Sequence, residues 1–193
     1  MTDNDLVLRT THQRVTTVTL NRPEALNALS TGMKNAIITC FEALRDDHDT
    51  DVIILTGAGR SFTAGLDLKE LGQIGFTERT IGDLQEVVTT VGKPLIGAIN
   101  GFAITGGFEL ALMCDILVGT PDTRFADTHV RMGVVPGWGL SQRLAALIGR
   151  SRAMEMSLTG NYVNAETAER WGLINNILPR SELLPHCLSL IHI

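Results

Sequence analysis

Three short runs of almost unbroken apolar residues constrain this chain more than any other feature. They are Val52-Ile53-Ile54-Leu55 within Asp51–Gly57, Leu95 to Ile99 within Pro94–Gly101, and Ile116-Leu117-Val118 within Cys114–Gly119. A strand with one wet face alternates apolar and polar residues. A strand that is apolar throughout is buried on both faces, as in a sheet covered by helices. Segments of helical pattern fall between these runs, over residues 66–72, 80–91 and 106–113. Strand, glycine turn and helix recur without a fixed period, which predicts an α/β spiral.

The flanking segments complete that outline. Leu6–Arg9 and Val15–Leu20 read as two strands of a hairpin turning across Thr11-His12-Gln13. Ser30 is placed to cap a helix whose inner face is Met33, Ile37, Cys40, Phe41 and Leu44. Beyond Gly133, three short helices are expected over 140–148, 153–158 and 165–171, the last capped by Asn164 and followed by Gly172. No linker rich in proline or serine divides the chain, so one domain is expected.

Composition narrows the function classes. A formal charge of -5 with no basic stripe argues against nucleic acid and anionic membranes as partners. No apolar run reaches the roughly 18–20 residues a bilayer span needs, and the polar start Met1-Thr2-Asp3-Asn4-Asp5 does not read as a signal peptide. Cys40, Cys114 and Cys187 form no C-x-x-C pair, and reduced thiols in a cytoplasmic protein are expected. No His/Cys/Asp cluster has metal-ligand spacing.

Two segments carry the chemistry. Gly106-Gly107-Phe108-Glu109 opens a helix after a buried strand, where first-turn N–H groups lack partners and favour negative charge. Glu109 then stands among apolar residues as a candidate acid or base. Equally, its position in the first turn suits an exposed or capping carboxylate. The second segment, Gly57 to Leu71, is a glycine-bearing loop running into a helix. Alone it signals no more than a turn.

Together the segments resemble the enoyl-CoA hydratase (crotonase) family. Gly57-Ala58-Gly59-Arg60-Ser61-Phe62-Thr63-Ala64-Gly65-Leu66-Asp67-Leu68 is similar to the family's G-x-G-x-x-F-x-A-G-x-D-L. Gly106-Gly107-Phe108-Glu109-Leu110-Ala111-Leu112-Met113-Cys114-Asp115 is similar to its G-G-x-E-L-A-x-x-C-D. Arg22–Leu29 and Val135–Leu144 match two further family segments, and the similarity runs from about Leu6 to Pro185.

The resemblance implies a crotonase-like spiral of β-β-α units with helices covering the sheets, its C-terminal helical part incomplete. It implies that the backbone N–H groups of Leu66 and Gly106 form an oxyanion hole for the thioester of an acyl-CoA. Each such donor contributes about 3–4 kcal/mol to holding the enolate. Ala64, Leu66, Asp67, Leu68, Lys69 and Gly106 are expected along the substrate channel, and Glu24, Ala25 and Leu26 along the CoA moiety. Coenzyme A arrives as part of the substrate, so no separate cofactor and no metal are expected. A homotrimer or hexamer is the expected assembly.

Hydratases of the family use two carboxylates. One falls at Glu109. Aligning Phe125 and Gly133 with the family's F-x-x-P-E-x-x-x-G places His129 where the second belongs. His129 can be a replacement acid/base, since an imidazole titrates near neutrality. It can instead shape the ligand site, or be structural. Asp127, two residues before, either orients it or faces solvent. Three activities follow: hydration of a 2-enoyl-CoA, isomerisation of a 3-enoyl-CoA to a 2-enoyl-CoA with Glu109 as sole acid/base, or acyl-CoA binding without catalysis.

The tail Leu188-Ser189-Leu190-Ile191-His192-Ile193 does not resemble the family. It matches the translation of a transposase adaptor, CTG TCT CTT ATA CAC ATC. The expectation is a truncated crotonase-like domain at 1–187 and an adaptor-encoded, non-native tail at 188–193.

Overall fold

The computed structural model describes residues 6–74 and 84–191. In it the three apolar runs are neighbouring parallel strands: β3 (Val52–Gly57), β5 (Leu95–Ile99) and β7 (Ile116–Gly119). β1 (Val7–His12), β2 (Val15–Leu20) and β10 (Asn176–Ile177) extend them into a six-stranded sheet of order β1-β2-β3-β5-β7-β10. All neighbours are parallel except β1 and β2. Thr11 and His12 still pair, with Thr16 and Val15, so the hairpin reverses at Gln13-Arg14, both at positive φ (45° and 64°). The turn expected at Thr11–Gln13 sits too early, because β-branched Thr11 stays in the ladder.

Both faces of this sheet are covered, which explains the unbroken apolar pattern. Ile53 and Leu55 join Val18, Leu20, Met33, Ile37 and Phe41 in one core. Val52 and Ile54 point the other way, toward Leu183 and Cys187. The first face is covered by α1 (Thr31–Arg45), whose N-terminus is capped as expected, Ser30 Oγ accepting the Met33 N–H at 3.2 Å. Met33, Ile37, Phe41 and Leu44 are fully buried, each stabilising by about 1.5–3 kcal/mol.

Each central strand leads into a short strand of a second sheet and then a helix. The short strands are β4 (Ser61–Thr63), β6 (Phe102–Ile104) and β8 (Arg124–Ala126), parallel to one another, with β9 (Val163–Asn164) antiparallel at the edge. The helices are α2 (Leu68–Ile74), which precedes α3 (Leu84–Thr89), then α4 (Gly106–Ala111) and α5 (His129–Met132). Each unit thus adds one strand to each sheet, which is the expected β-β-α spiral. Helix α2 starts later than the expected residue 66, because Leu66 forms a parallel bridge with Leu29. Of the helix expected over 80–91, residues 80–83 lie outside the described residues.

The remaining helices are α6 (Leu140–Ile148), α7 (Arg150–Thr159), α8 (Ala165–Trp171) and α9 (Arg180–Ser189). Asn164 caps α8 by accepting the Thr167 N–H at 2.9 Å, and Gly172 ends it at φ 77°. The expected boundary between residues 187 and 188 falls inside α9.

Candidate active site

The turns that follow β4, β6 and β8 lie at the carboxyl ends of three adjacent parallel strands. Such strand ends are where open α/β sheets place their ligands. Two close approaches hold the first two turns together. A Cβ added to Gly65 (φ 91°) would stand 2.5 Å from the Ile104 carbonyl oxygen and 3.4 Å from the Gly106 nitrogen. One added to Gly107 would stand 2.4 Å from the Thr63 carbonyl oxygen. Only glycine permits this packing.

The main chain at Leu66 and Gly106 is arranged to offer donors. The Leu29 N–H donates to the Gly65 carbonyl at 2.8 Å, and the Asp67 N–H to the Leu29 carbonyl at 3.3 Å. In a parallel bridge of this kind, Leu66's own N–H points away from Leu29. Gly106 is the first residue of α4, where an N–H has no partner within the helix. The residue before it, Thr105, holds φ 54° and ψ -112°, an uncommon conformation for a β-branched residue that costs about 1–3 kcal/mol. Its hydroxyl bonds to that of Thr128 and accepts the Thr128 N–H at 3.3 Å. That link ties the start of α4 to the end of β8.

A cleft of about 290 Å³ opens where these turns meet. Ala64, Leu66, Leu68 and Leu71 form part of its wall, and Met132, Val134, Val135 and Trp138 another part. Its polar groups are Thr105, Thr128, Glu109 and His129. Of the expected site residues, Ala64, Leu66, Leu68, Glu109 and His129 therefore share one cleft. Gly106 lies against it, since a Cβ there would come 3.3 Å from the Trp138 ring and 3.6 Å from the Leu66 side chain.

The other expected residues stand outside the cleft lining. Asp67 turns to Arg22, with 2.6 Å between charges, and its Oδ1 accepts the Lys69 and Glu70 N–H groups at the start of α2. Lys69 is exposed. Glu24 and Ala25 lie in a single 3-10 turn, Pro23–Ala25, and Leu26 follows at φ 52°. This loop supports the turn after β4. The Leu26 carbonyl accepts the Ala64 N–H at 3.0 Å, and the buried Asn27 amide donates to the carbonyls of Ala58, Ser61 and Phe62.

Glu109 is buried, at 3% exposure, so the exposed-helix reading of it does not hold. Its Oε1 accepts the Trp138 N–H at 2.6 Å, and its Oε2 is 3.5 Å from His129 Nε2. His129 Nδ1 is in turn 2.6 Å from Asp127 Oδ1, which also accepts the His129 main-chain N–H at 3.3 Å. Burial pushes the His129 imidazole toward neutrality, but bonds to Asp127 and Glu109 outweigh it and raise its pKa to about 9. Burial likewise works to raise Asp127. Hydrogen bonds from His129 and Ser157 prevail and hold its carboxyl below the usual range.

Asp127 is not the solvent-facing carboxylate of the second reading. It is 1% exposed, and it leaves strand geometry at the end of β8 rather than continuing it. The signal was present in the sequence: Asp bonding the N–H two residues on is an Asx turn, and Asp127-Thr128-His129 has that spacing. Trp138 lines the cleft. Its main-chain bond to Glu109 had no signature, because any residue type carries an N–H.

Residues 10–192 match the enoyl-CoA hydratase/isomerase family. The chain belongs to that family. It is 40% identical over 184 residues to a probable enoyl-CoA hydratase of Mycobacterium leprae, covering 94% of this chain and 72% of that one. Among solved structures, the enoyl-CoA hydratase from Mycobacterium tuberculosis H37Rv superposes with a TM-score of 0.86 at 46% identity, over 96% of this chain and 80% of that one. An enoyl-CoA hydratase from Bacillus anthracis gives a TM-score of 0.90 at 32% identity, over 96% and 74% of the two chains. This chain places His129 beside Glu109, with Nε2 3.5 Å from Oε2. It holds an imidazole between two buried carboxylates.

Proposed function

We propose that the protein hydrates 2-enoyl-CoA thioesters to 3-hydroxyacyl-CoA, with Glu109 as base and His129 as acid. The observation that carries this reading is the 3.5 Å approach of His129 Nε2 to Glu109 Oε2 in an apolar cleft. One group can take a proton while its neighbour gives one. The thioester carbonyl accepts from the Leu66 and Gly106 N–H groups. Water adds through oxygen to C3 and passes a proton to Glu109. The π electrons move to the thioester oxygen as an enolate, held by those two donors. C2 then takes the proton from His129 Nε2, and Glu109 returns its proton to the ring. The sum is one water added and both side chains restored. Positioned acid/base groups of this kind contribute about 10²–10⁴ in rate.

Glu24, Ala25, Leu26, Asp67 and Lys69, outside the acyl cleft, belong to the CoA part of the substrate in this proposal. Assembly as a homotrimer or hexamer belongs to it as well, supported by exposed Leu147, Met154 and Leu158 on α6 and α7. So does a cytoplasmic location, supported by three free cysteines. Among the described residues no helix is long and apolar enough to cross a membrane.

The test is turnover of crotonyl-CoA and of a 3-enoyl-CoA side by side, with products read by mass. A gain of one water from crotonyl-CoA is expected. Conversion of the 3-enoyl-CoA without hydration would replace the proposal with isomerisation by Glu109 alone. Binding of both without turnover would make the protein an acyl-CoA binder.

A further inference from the structure

We propose that Asp127 is a positioning residue for this reaction, fixing the His129 ring with Nδ1 turned away and Nε2 presented to Glu109 and the cleft. The inference rests on the hydratase reading above and adds a residue to it. Asp127 does not line the cleft and touches the chemistry only through His129.

Three observations converge on it. First, Asp127 Oδ1 binds the residue twice, at the ring nitrogen (2.6 Å) and at the main-chain N–H (3.3 Å), so both ring and backbone are held. Second, the pair is enclosed: Asp127 is 1% and His129 6% exposed. A buried carboxylate without a partner is costly, so its burial is consistent only with a donor that stays in place. Third, among the described residues no ion pair other than Glu109's joins the Asp127–His129 pair. Glu109 faces the ring from α4, and α7 contributes the Ser157 hydroxyl to Asp127. The charged residues of α7, Arg150, Arg152 and Glu155, are exposed, and Arg131 on the ring's own helix reaches out to Asn161 at 3.1 Å.

The consequence lies in the order of proton transfers. Glu109 loses its negative charge when it takes the proton of water. From then until C2 is protonated, Asp127 is the carboxylate that still faces the ring. It keeps Nδ1–H donated in one direction, so the proton available for transfer is the one on Nε2.

The experiment compares the parent with Asp127→Asn by two readouts: the His129 titration followed by NMR, assigned with His129→Gln, and kcat and KM on crotonyl-CoA across pH. In Asp127→Asn the His129 midpoint is expected to fall from about 9 toward the ordinary 6.5. The alkaline limb of kcat should move with it, kcat should drop about 10- to 100-fold, and KM should stay unchanged. Should the variant fail to fold, the parent alone decides through its Nδ1 proton. A short, shielded Asp–His bond predicts a slowly exchanging, far-downfield proton signal. An unmoved midpoint in Asp127→Asn, or the absence of that signal in the parent, overturns the proposal. If the parent does not hydrate 2-enoyl-CoA, the functional reading fails, and the NMR titration still judges Asp127 separately.

Discussion

Replacing Gly107 by alanine tests whether the packing of α4 on β4 sets the spacing of the Leu66 and Gly106 N–H groups, the proposed oxyanion donors. The added Cβ would stand 2.4 Å from the Thr63 carbonyl oxygen and 2.8 Å from the Thr63 Cγ2. Ordinary contact begins at 3.4 Å, so the two segments must part by about 1 Å. Thr63 lies three residues before Leu66, and Gly107 one after Gly106, so the strain falls on the segments that carry both donors. A misplacement of 1 Å in a catalytic group costs on the order of 10²-fold in rate. Overpacking costs about 1–3 kcal/mol in stability, offset by up to about 1 kcal/mol from the better helix propensity of alanine. The control is Gly72→Ala in α2, where an added Cβ meets nothing within 4 Å and stability should hold or rise. The assay is kcat/KM on crotonyl-CoA beside thermal midpoints for both variants. Parent-like kcat/KM and stability in Gly107→Ala would refute the reasoning.

Further outcomes follow from the same geometry. Glu109→Gln keeps an oxygen for the Trp138 N–H but loses the base, so kcat should fall about 10²–10⁴-fold while the fold survives at a cost of about 1 kcal/mol; stopped-flow hydration and calorimetry check both. His129 is raised from 6.5 to about 9, so its contribution to stability is complete below about 6.5 and lost as pH rises through about 9. The thermal midpoint should fall across that window in the parent and not in His129→Gln. Asp127, whose pKa is lowered, contributes above its ordinary 3.8 and loses that contribution as pH falls. Burial pushes the thiols of Cys40 and Cys187 up to about 11 and about 12, and that of Cys114 up as well. All three should resist a thiol reagent in the native protein at neutral pH and react once it is unfolded.

Much of the fold could be read locally. Val52–Leu55 are apolar because both faces of their sheet are covered, and a covered strand leaves that mark in four residues. Ser30 and Asn164 announce their helices because capping needs only neighbours. The turns at Gly65 and Gly107 were legible through a joined motif, since both glycines answer to backbone approaches that no side chain survives. Less legible were features set by distant partners. The Gln13-Arg14 turn takes positive φ without glycine or asparagine. Leu66 is kept out of α2 by Leu29, far away in sequence. Asp127 was ambiguous because the chain leaves β8 there, and its burial depends on α7. The Trp138 N–H reaches Glu109 across 29 positions and leaves no trace in residue type.

The central claim is that hydration runs on a carboxylate base and an imidazolium acid. The most direct test is kcat on crotonyl-CoA against pH for the parent and for His129→Gln. The acid must be protonated in the resting enzyme, so parent activity should hold through neutrality and fall as pH rises through about 9, the value set by Asp127 and Glu109 around the ring. His129→Gln should be much slower at neutral pH and should lack that limb. An unchanged limb in His129→Gln, or parent-like turnover without the imidazole, would contradict the account.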